Sequence, residues 1–174
     1  MKSLRPLLLL PLAAVAAQAY TLELELGKSH PTGGADSNVV GLTVATQLNE
    51  NFGLGLNLNS RGLAKGALDV DARSAIAELT YDLNSRGGIR PFIGAGLGYS
   101  WLSSNGATST TASKAVLATD VFAGVRFALS ENLDLAFTVK NVHFIGVKNA
   151  PLTGEPTKST LRDWSQSVSL RLKF

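Results

Sequence analysis

The sequence predicts an all-β fold: one eight-stranded antiparallel up-and-down barrel that crosses a membrane on its strands. Three observations predict it. Apolar residues alternate with small or polar ones through eight separate runs, and period two is the mark of a strand with one apolar face. The connections between runs are short and long by turns, the habit of membrane barrels. The chain is 45% hydrophobic and only 17% charged, with a mean hydropathy of +0.15, against roughly 25% charged residues in an average soluble domain. Yet past the first two dozen positions it has no run approaching the roughly 20 apolar residues of a spanning helix. Low charge and dispersed apolar residues also exclude a disordered chain. The 174 residues suit one domain.

Residues 1–19 stand outside this pattern. Lys2 and Arg5 form a basic start, Leu7 to Ala17 a short apolar stretch, and Ala17-Gln18-Ala19 a small-x-small cleavage pattern, which together read as a secretory signal peptide. The expected division is 1–19 signal peptide and 20–174 barrel domain. Without Lys2 and Arg5, 14 basic residues face 13 acidic ones, so the net charge falls from +3 to +1. That removes the basic excess a nucleic-acid partner requires. The chain has no cysteine, so no disulfide framework is available.

The strands follow in order. Thr21 to Leu26 places leucine at every second position. Val39 to Leu48 sets Val40, Leu42, Val44 and Leu48 on one parity. Phe52, Leu54, Leu56 and Leu58 oppose Gly53, Gly55, Asn57 and Asn59. Ala75, Ala77, Leu79, Tyr81 and Leu83 oppose Ser74, Ile76, Glu78, Thr80 and Asp82. Ile93, Ala95, Leu97, Tyr99 and Trp101 oppose Phe92, Gly94, Gly96 and Gly98. Leu117, Val121, Ala123, Val125, Phe127 and Leu129 oppose Asp120, Gly124 and Arg126. Leu133, Leu135, Phe137 and Val139 oppose Asp134, Thr138 and Lys140. Trp164, Val168, Leu170, Leu172 and Phe174 oppose Ser165, Ser167, Ser169, Arg171 and Lys173. Gln166 breaks the last apolar face, which calls for a site near the outer interface or a bulge. The expected tight turns run Leu48 to Phe52, Leu83 to Pro91 and Leu129 to Leu133. The expected long loops run Lys28 to Asn38, Ser60 to Arg73, Leu102 to Lys114 and His143 to Arg162. Leu48-Asn49-Glu50-Asn51-Phe52 echoes Leu129-Ser130-Glu131-Asn132-Leu133, which predicts equivalent hairpins.

The placement of charge decides which way the apolar face points. No apolar-face position carries a charge, whereas the other face holds glycine, serine, threonine and alanine with a few charges. A water-facing strand would not align Gly94, Gly96 and Gly98, but small residues suit the crowded inside of an eight-stranded barrel. The apolar face therefore meets lipid. Tyr20, Phe52, Tyr81, Phe127 and Phe174 fall beside the tight turns and Tyr99, Trp101 and Trp164 near the long loops, the places of an aromatic girdle.

The last strand, Ser167-Val168-Ser169-Leu170-Arg171-Leu172-Lys173-Phe174, resembles the outer-membrane assembly signal of bacterial barrels, carried by Val168, Leu170, Leu172 and Phe174. With the run Arg90-Pro91-Phe92-Ile93-Gly94-Ala95-Gly96-Leu97-Gly98-Tyr99, the chain resembles the small eight-stranded OmpA/OmpX-like outer-membrane barrels. The resemblance covers the barrel only and carries no peptidoglycan-binding domain. It implies a monomeric protein of the outer membrane, in contact with lipid and with the barrel-assembly machinery.

By parity, Glu23, Glu25, Glu78, Asp82 and Asp134 point inward, as do Arg126, Lys140, Arg171 and Lys173. Charges in so narrow a space need partners, and the expected arrangement is a salt-bridge plug with Arg126 and Arg171 among Glu23, Glu25 and Glu78. The barrel is expected to be no enzyme. Its two histidines, His30 in the first loop and His143 at the end of the seventh strand, lack the hydroxyl and carboxylate spacing of a hydrolase; Ile145 stands two residues after His143. Asp69 and Asp71 are weak candidates for a loop cation site, and no cofactor is expected. The expected role is structural or interactive at the cell surface. The alternatives are a narrow ion or small-solute channel and a soluble lipocalin-like carrier.

Overall fold

A computed structural model of the chain describes residues 20–32, 35–63, 69–84, 86–106, 109–145 and 160–174; the signal peptide expected over 1–19 lies outside them. Eight strands form one closed barrel in sequence order: β1 (Tyr20–Pro31), β2 (Ser37–Gln47), β3 (Phe52–Gly62), β4 (Asp69–Asp82), β5 (Ile89–Gly106), β6 (Ser109–Ala128), β7 (Leu133–Ile145) and β8 (Thr160–Lys173). Every neighbouring pair is antiparallel, and β1 closes on β8 from Thr21↔Lys173 to Pro31↔Asp163. Closure leaves no open edge. Among the described residues no helix is long and apolar enough to span a membrane.

Leu24, Leu26, Leu54, Leu56, Leu79, Leu97, Val121, Phe137 and Leu170 stand exposed on the outside, while Glu25, Asn57, Ser74, Asp120, Ser167 and Ser169 are buried within. The molecule is thus greasy outside and polar inside, the reverse of a soluble carrier.

The strands run further than the alternation reaches. β1 continues through His30 to Pro31, so the first connection is short. β5 and β6 pair out to Gly106↔Ser109, with one bulge between Leu102 and Ser104, so most of the expected loop from Leu102 to Lys114 is ladder. Polar residues there obeyed no apolar alternation, but backbone pairing does not need one. Asp69 and Asp71 likewise belong to β4, opposite Asn105 and Ser103, and not to a loop. The ladder passes through Gln166 without a bulge. Gln166 faces outward between Lys28 and Val139.

The echoed hairpins share their turn bonds. Leu48 N–H donates to Phe52 O at 2.8 Å and Leu129 N–H to Leu133 O at 2.9 Å, each joined by the next amide. The turns also tie to the neighbouring strand, since Asp82 N–H donates to Asn51 O and Lys173 N–H to Asn132 O. In the first turn Asn49 Oδ1 accepts from the amides of Asn51 and Phe52, an Asx cap that explains asparagine there.

Candidate functional site

The interior is built in tiers, and glycines make room for each. Glu78 on β4, Gly96 on β5 and Asp120 on β6 lie in one row. With no side chain between them, the two carboxylates face the same space. A Cβ at Gly96 would lie 2.5 Å from Asp120 Oδ1. Lys140, from β7, enters that space. Its Nζ donates to Glu78 Oε1 at 2.6 Å and lies 3.8 Å from Asp120 Oδ2. It also sits 5.1 Å from the centre of the Phe122 ring. All three charged residues are buried. One cation therefore serves two carboxylates, with an aromatic face beneath it.

Closer to the tight turns, Gly124 plays the same part. Its missing Cβ leaves space for the Phe92 ring. Arg126, two residues on, stacks over that ring at 3.9 Å and ion-pairs with Asp82. Asp134 collects two cations at the same end, Arg90 and Lys173, the latter at 3.0 Å. Ser169 Oγ donates to Glu23 Oε1 at 2.5 Å.

Towards the loop end, Arg61 reaches from β3 to Asp163 on β8, Nη1 to Oδ2 at 2.6 Å, with both side chains almost fully buried. Ser29 Oγ donates to the other Asp163 oxygen at 2.6 Å. Arg61 Nε also donates to Asn59 Oδ1, and the amides of Asn59 and Asn57 carry the chain on to Thr43 Oγ1. On the opposite wall Leu63, Ile76, Leu102, Val116, Val142 and Phe144 form a buried apolar cluster. Among the described residues two spaces are left. A cavity of about 40 Å³ is bounded by Glu23, Glu25, Asn57, Glu78, Arg126 and Lys140, room for about three waters, and a second of about 200 Å³ opens at the turn end among Thr21, Asp82, Arg90, Arg171 and Lys173.

All nine charged residues assigned inward by parity do line the inside, but their pairing differs from expectation. Arg126 bonds Asp82 and not Glu23, Glu25 or Glu78, while Lys140 takes Glu78. Among the described residues Arg171 has no ion-pair partner, and its Nε is buried without a hydrogen bond. Parity states which way a side chain points, whereas the stagger of the strands decides which residues share a level. Four members of the network lie outside the nine: Arg61 and Arg90, within an expected loop and an expected turn, Asp163, between the last expected loop and the last expected strand, and Asp120, on the polar face of the sixth run. The apolar tier and the separate inward pair Phe92 and Phe122 were not expected either. Their signal was present, because Ile76, Phe92 and Phe122 sit on the parity of the small residues and two glycines, Gly94 and Gly124, leave space for the rings.

The eight girdle aromatics all face outward, with Phe127 partly covered and packed edge-on against Phe137. Val168, Leu170, Leu172 and Phe174 are exposed on β8 and the terminus. His143 faces outward on β7, between Thr119 and Arg162. His30 Nδ1 lies 2.9 Å from Asp36 Oδ1 in an exposed pair, a His–carboxylate contact the sequence reading did not foresee. Among the described residues no serine or threonine hydroxyl bonds to that ring. Among them too, no three His, Cys, Asp or Glu side chains group to hold a metal ion.

The match to known proteins follows this geometry. The family model described as "Outer membrane protein beta-barrel domain" matches residues 5–174. Neisserial surface protein A superposes with a TM-score of 0.71 at 19% identity, over 90% of this chain and 96% of that one. OprG from Pseudomonas aeruginosa gives 0.65 at 12% identity, over 91% and 96%. The outer membrane enzyme PagL gives 0.58 at 15%, over 86% and 97%. At these identities the likeness shows the shared fold. No curated protein sequence matches the chain. A closed eight-stranded barrel, exposed apolar strand faces and a family model spanning nearly every residue lead to one conclusion: the chain belongs to the outer membrane protein β-barrel domain family, an integral protein of the outer membrane with its apolar faces against lipid.

Proposed function

We propose that this barrel is a closed scaffold of the cell envelope, non-conducting and non-enzymatic, which presents the connections at its loop end, the longest of them between β7 and β8, for interaction at the cell surface. The observation that carries the reading is the filled interior. Three buried ion pairs, Arg61–Asp163, Lys140–Glu78 and Arg126–Asp82, join non-adjacent strands, and the cavity beside them holds about 40 Å³. Nearer the loop end the buried Arg61–Asp163 pair on one wall and the apolar cluster around Phe144 on the other occupy the barrel together. Ions shed little of their hydration without a continuous polar path, so two successive barriers oppose conduction.

Short turns in such barrels face the periplasm and longer connections face outward, which sets both termini on the periplasmic side. The alternating C-terminal strand ending in Phe174 supports recognition by the assembly machinery during insertion, and the closed sheet supports a monomer. Release of trapped ions and small sugars from vesicles containing the purified barrel tests the scaffold. Retention equal to that of empty vesicles is the expected result. Size-dependent release would replace the scaffold by the channel reading, and loss of a lipid acyl chain during the same incubation would replace it by an enzyme.

A further inference from the structure

The lipid-facing surface carries one built feature that the scaffold reading does not use. On β4 the outward positions Ala75 and Ala77 are small, and they lie between bulky columns, Ala75 between Leu58 and Tyr99 and Ala77 between Leu56 and Leu97. The Ala75 methyl leaves a depression. It forms a groove of about 560 Å³ bounded by Leu24, Val40, Leu58, Ala75 and Trp101, with Ser60 and Arg73 at its loop-side edge. That volume falls within the range of about 300–1,000 Å³ typical of small-ligand clefts.

Arg73 is exposed on the same outward face, with Ser60 on one side and Trp101 on the other. Among the described residues it has no carboxylate partner. Asp71, two residues further out on that face, makes no ion pair with it. The eight residues from the girdle residue Tyr81 to Arg73 cover about 20 Å along the barrel axis, at about 3.3 Å per residue and a tilt of about 40°. The apolar band of such barrels is about 25 Å tall. Arg73 therefore stands about 5 Å inside the loop-side edge of that band, where its long side chain reaches the headgroups from the rim of the groove. A free guanidinium matches a phosphate in charge and in planar donor geometry, and the half-exposed Trp101 indole offers one more N–H at that level.

We propose that this groove and Arg73 bind one phosphorylated acyl glycolipid of the outer leaflet, an acyl chain lying over Ala75 and the phosphate on the Arg73 guanidinium. The full barrel is refolded in a neutral zwitterionic detergent, in a Trp164→Phe background that leaves Trp101 as the reporting indole, and titrated with diphosphoryl lipid A. The expected result is a saturable change in Trp101 fluorescence at one lipid per barrel. Arg73→Gln weakens it at least tenfold, Arg73→Lys recovers part of the loss, and Ala75→Leu, which fills the groove and leaves the charge, weakens it comparably. Arg162→Gln, an outward cation away from the groove, stays within twofold. A heat-dependent gel shift shows that each variant is folded. Equal affinity for fully dephosphorylated lipid A would overturn the phosphate contact, and full affinity in Ala75→Leu would overturn the groove. The same change with inorganic phosphate alone would mean a bare anion site and overturn the lipid.

Discussion

Lys140→Met tests the interior most sharply, because one cation serves two carboxylates. In the parent, Nζ lies 2.6 Å from Glu78 and 3.8 Å from Asp120. At an effective dielectric constant near 20 these separations correspond to about 6 and about 4 kcal/mol of attraction before desolvation is charged against them. The net loss is smaller, since removing one member of a buried pair costs about 3–5 kcal/mol. Methionine keeps the length and the packing against Phe122, so the loss reports charge and not volume. Glu78→Gln added to Lys140→Met removes one stranded carboxylate and recovers about half of the loss, while Glu78→Gln alone costs less than Lys140→Met. Urea unfolding of the barrel in lipid vesicles, read by the gel shift between folded and boiled protein, measures all three. A Lys140→Met barrel within 1 kcal/mol of the parent would refute the reasoning and mean that solvent, not Lys140, stabilises these acids.

Further outcomes follow from other parts of the barrel. Gly96→Val places methyl groups where Asp120 Oδ1 and Ile76 Cγ2 already stand, at 2.5 and 2.6 Å from the new Cβ. It destabilises by at least about 1–3 kcal/mol in the same urea assay, whereas valine at Gly88, with nothing within 4 Å of its Cβ, is far milder. Phe144→Ala, in the apolar tier, costs about 3–5 kcal/mol. Leu97→Arg puts a cation in the middle of the lipid face and costs about 2–4 kcal/mol, against about 0–1 for Trp101→Arg near the interface; a reversed order would misplace the membrane. Removal of Phe174 lowers the yield of folded barrel in cell membranes more than it lowers stability in vesicles, as expected of an assembly signal.

Much of this was legible in sequence, and the reason is geometric. A strand turns each residue to the opposite face, so Leu54 against Gly55 or Leu97 against Gly96 is enough to place lipid and lumen. Tight turns were equally legible, because Leu48 to Phe52 and Leu129 to Leu133 share a Glu-Asn pair after a small polar residue and close the same bonds. Strand ends towards the loops were not. Past Ser60 and before Trp164 the outward positions lose their apolar rhythm, while backbone pairing carries on through Arg61 and Asp163. Partner choice was also hidden. Asp82 and Arg126 belong to strands two apart, and only the stagger of the closed sheet, with Gly124 making room for Phe92, brings them together. The inward apolar residues carry a weaker signal, since Ile76 and Phe92 sit on a face whose other positions are small or polar.

The occluded lumen is the central claim, and single-channel recording tests it most directly. The purified, folded barrel is inserted into a planar lipid bilayer and current is recorded under a steady voltage. The filled interior predicts a baseline indistinguishable from lipid alone, with no discrete steps. Steady, uniform conductance steps from the unmodified barrel would contradict it and identify a continuous path past Lys140, Arg61 and Phe144.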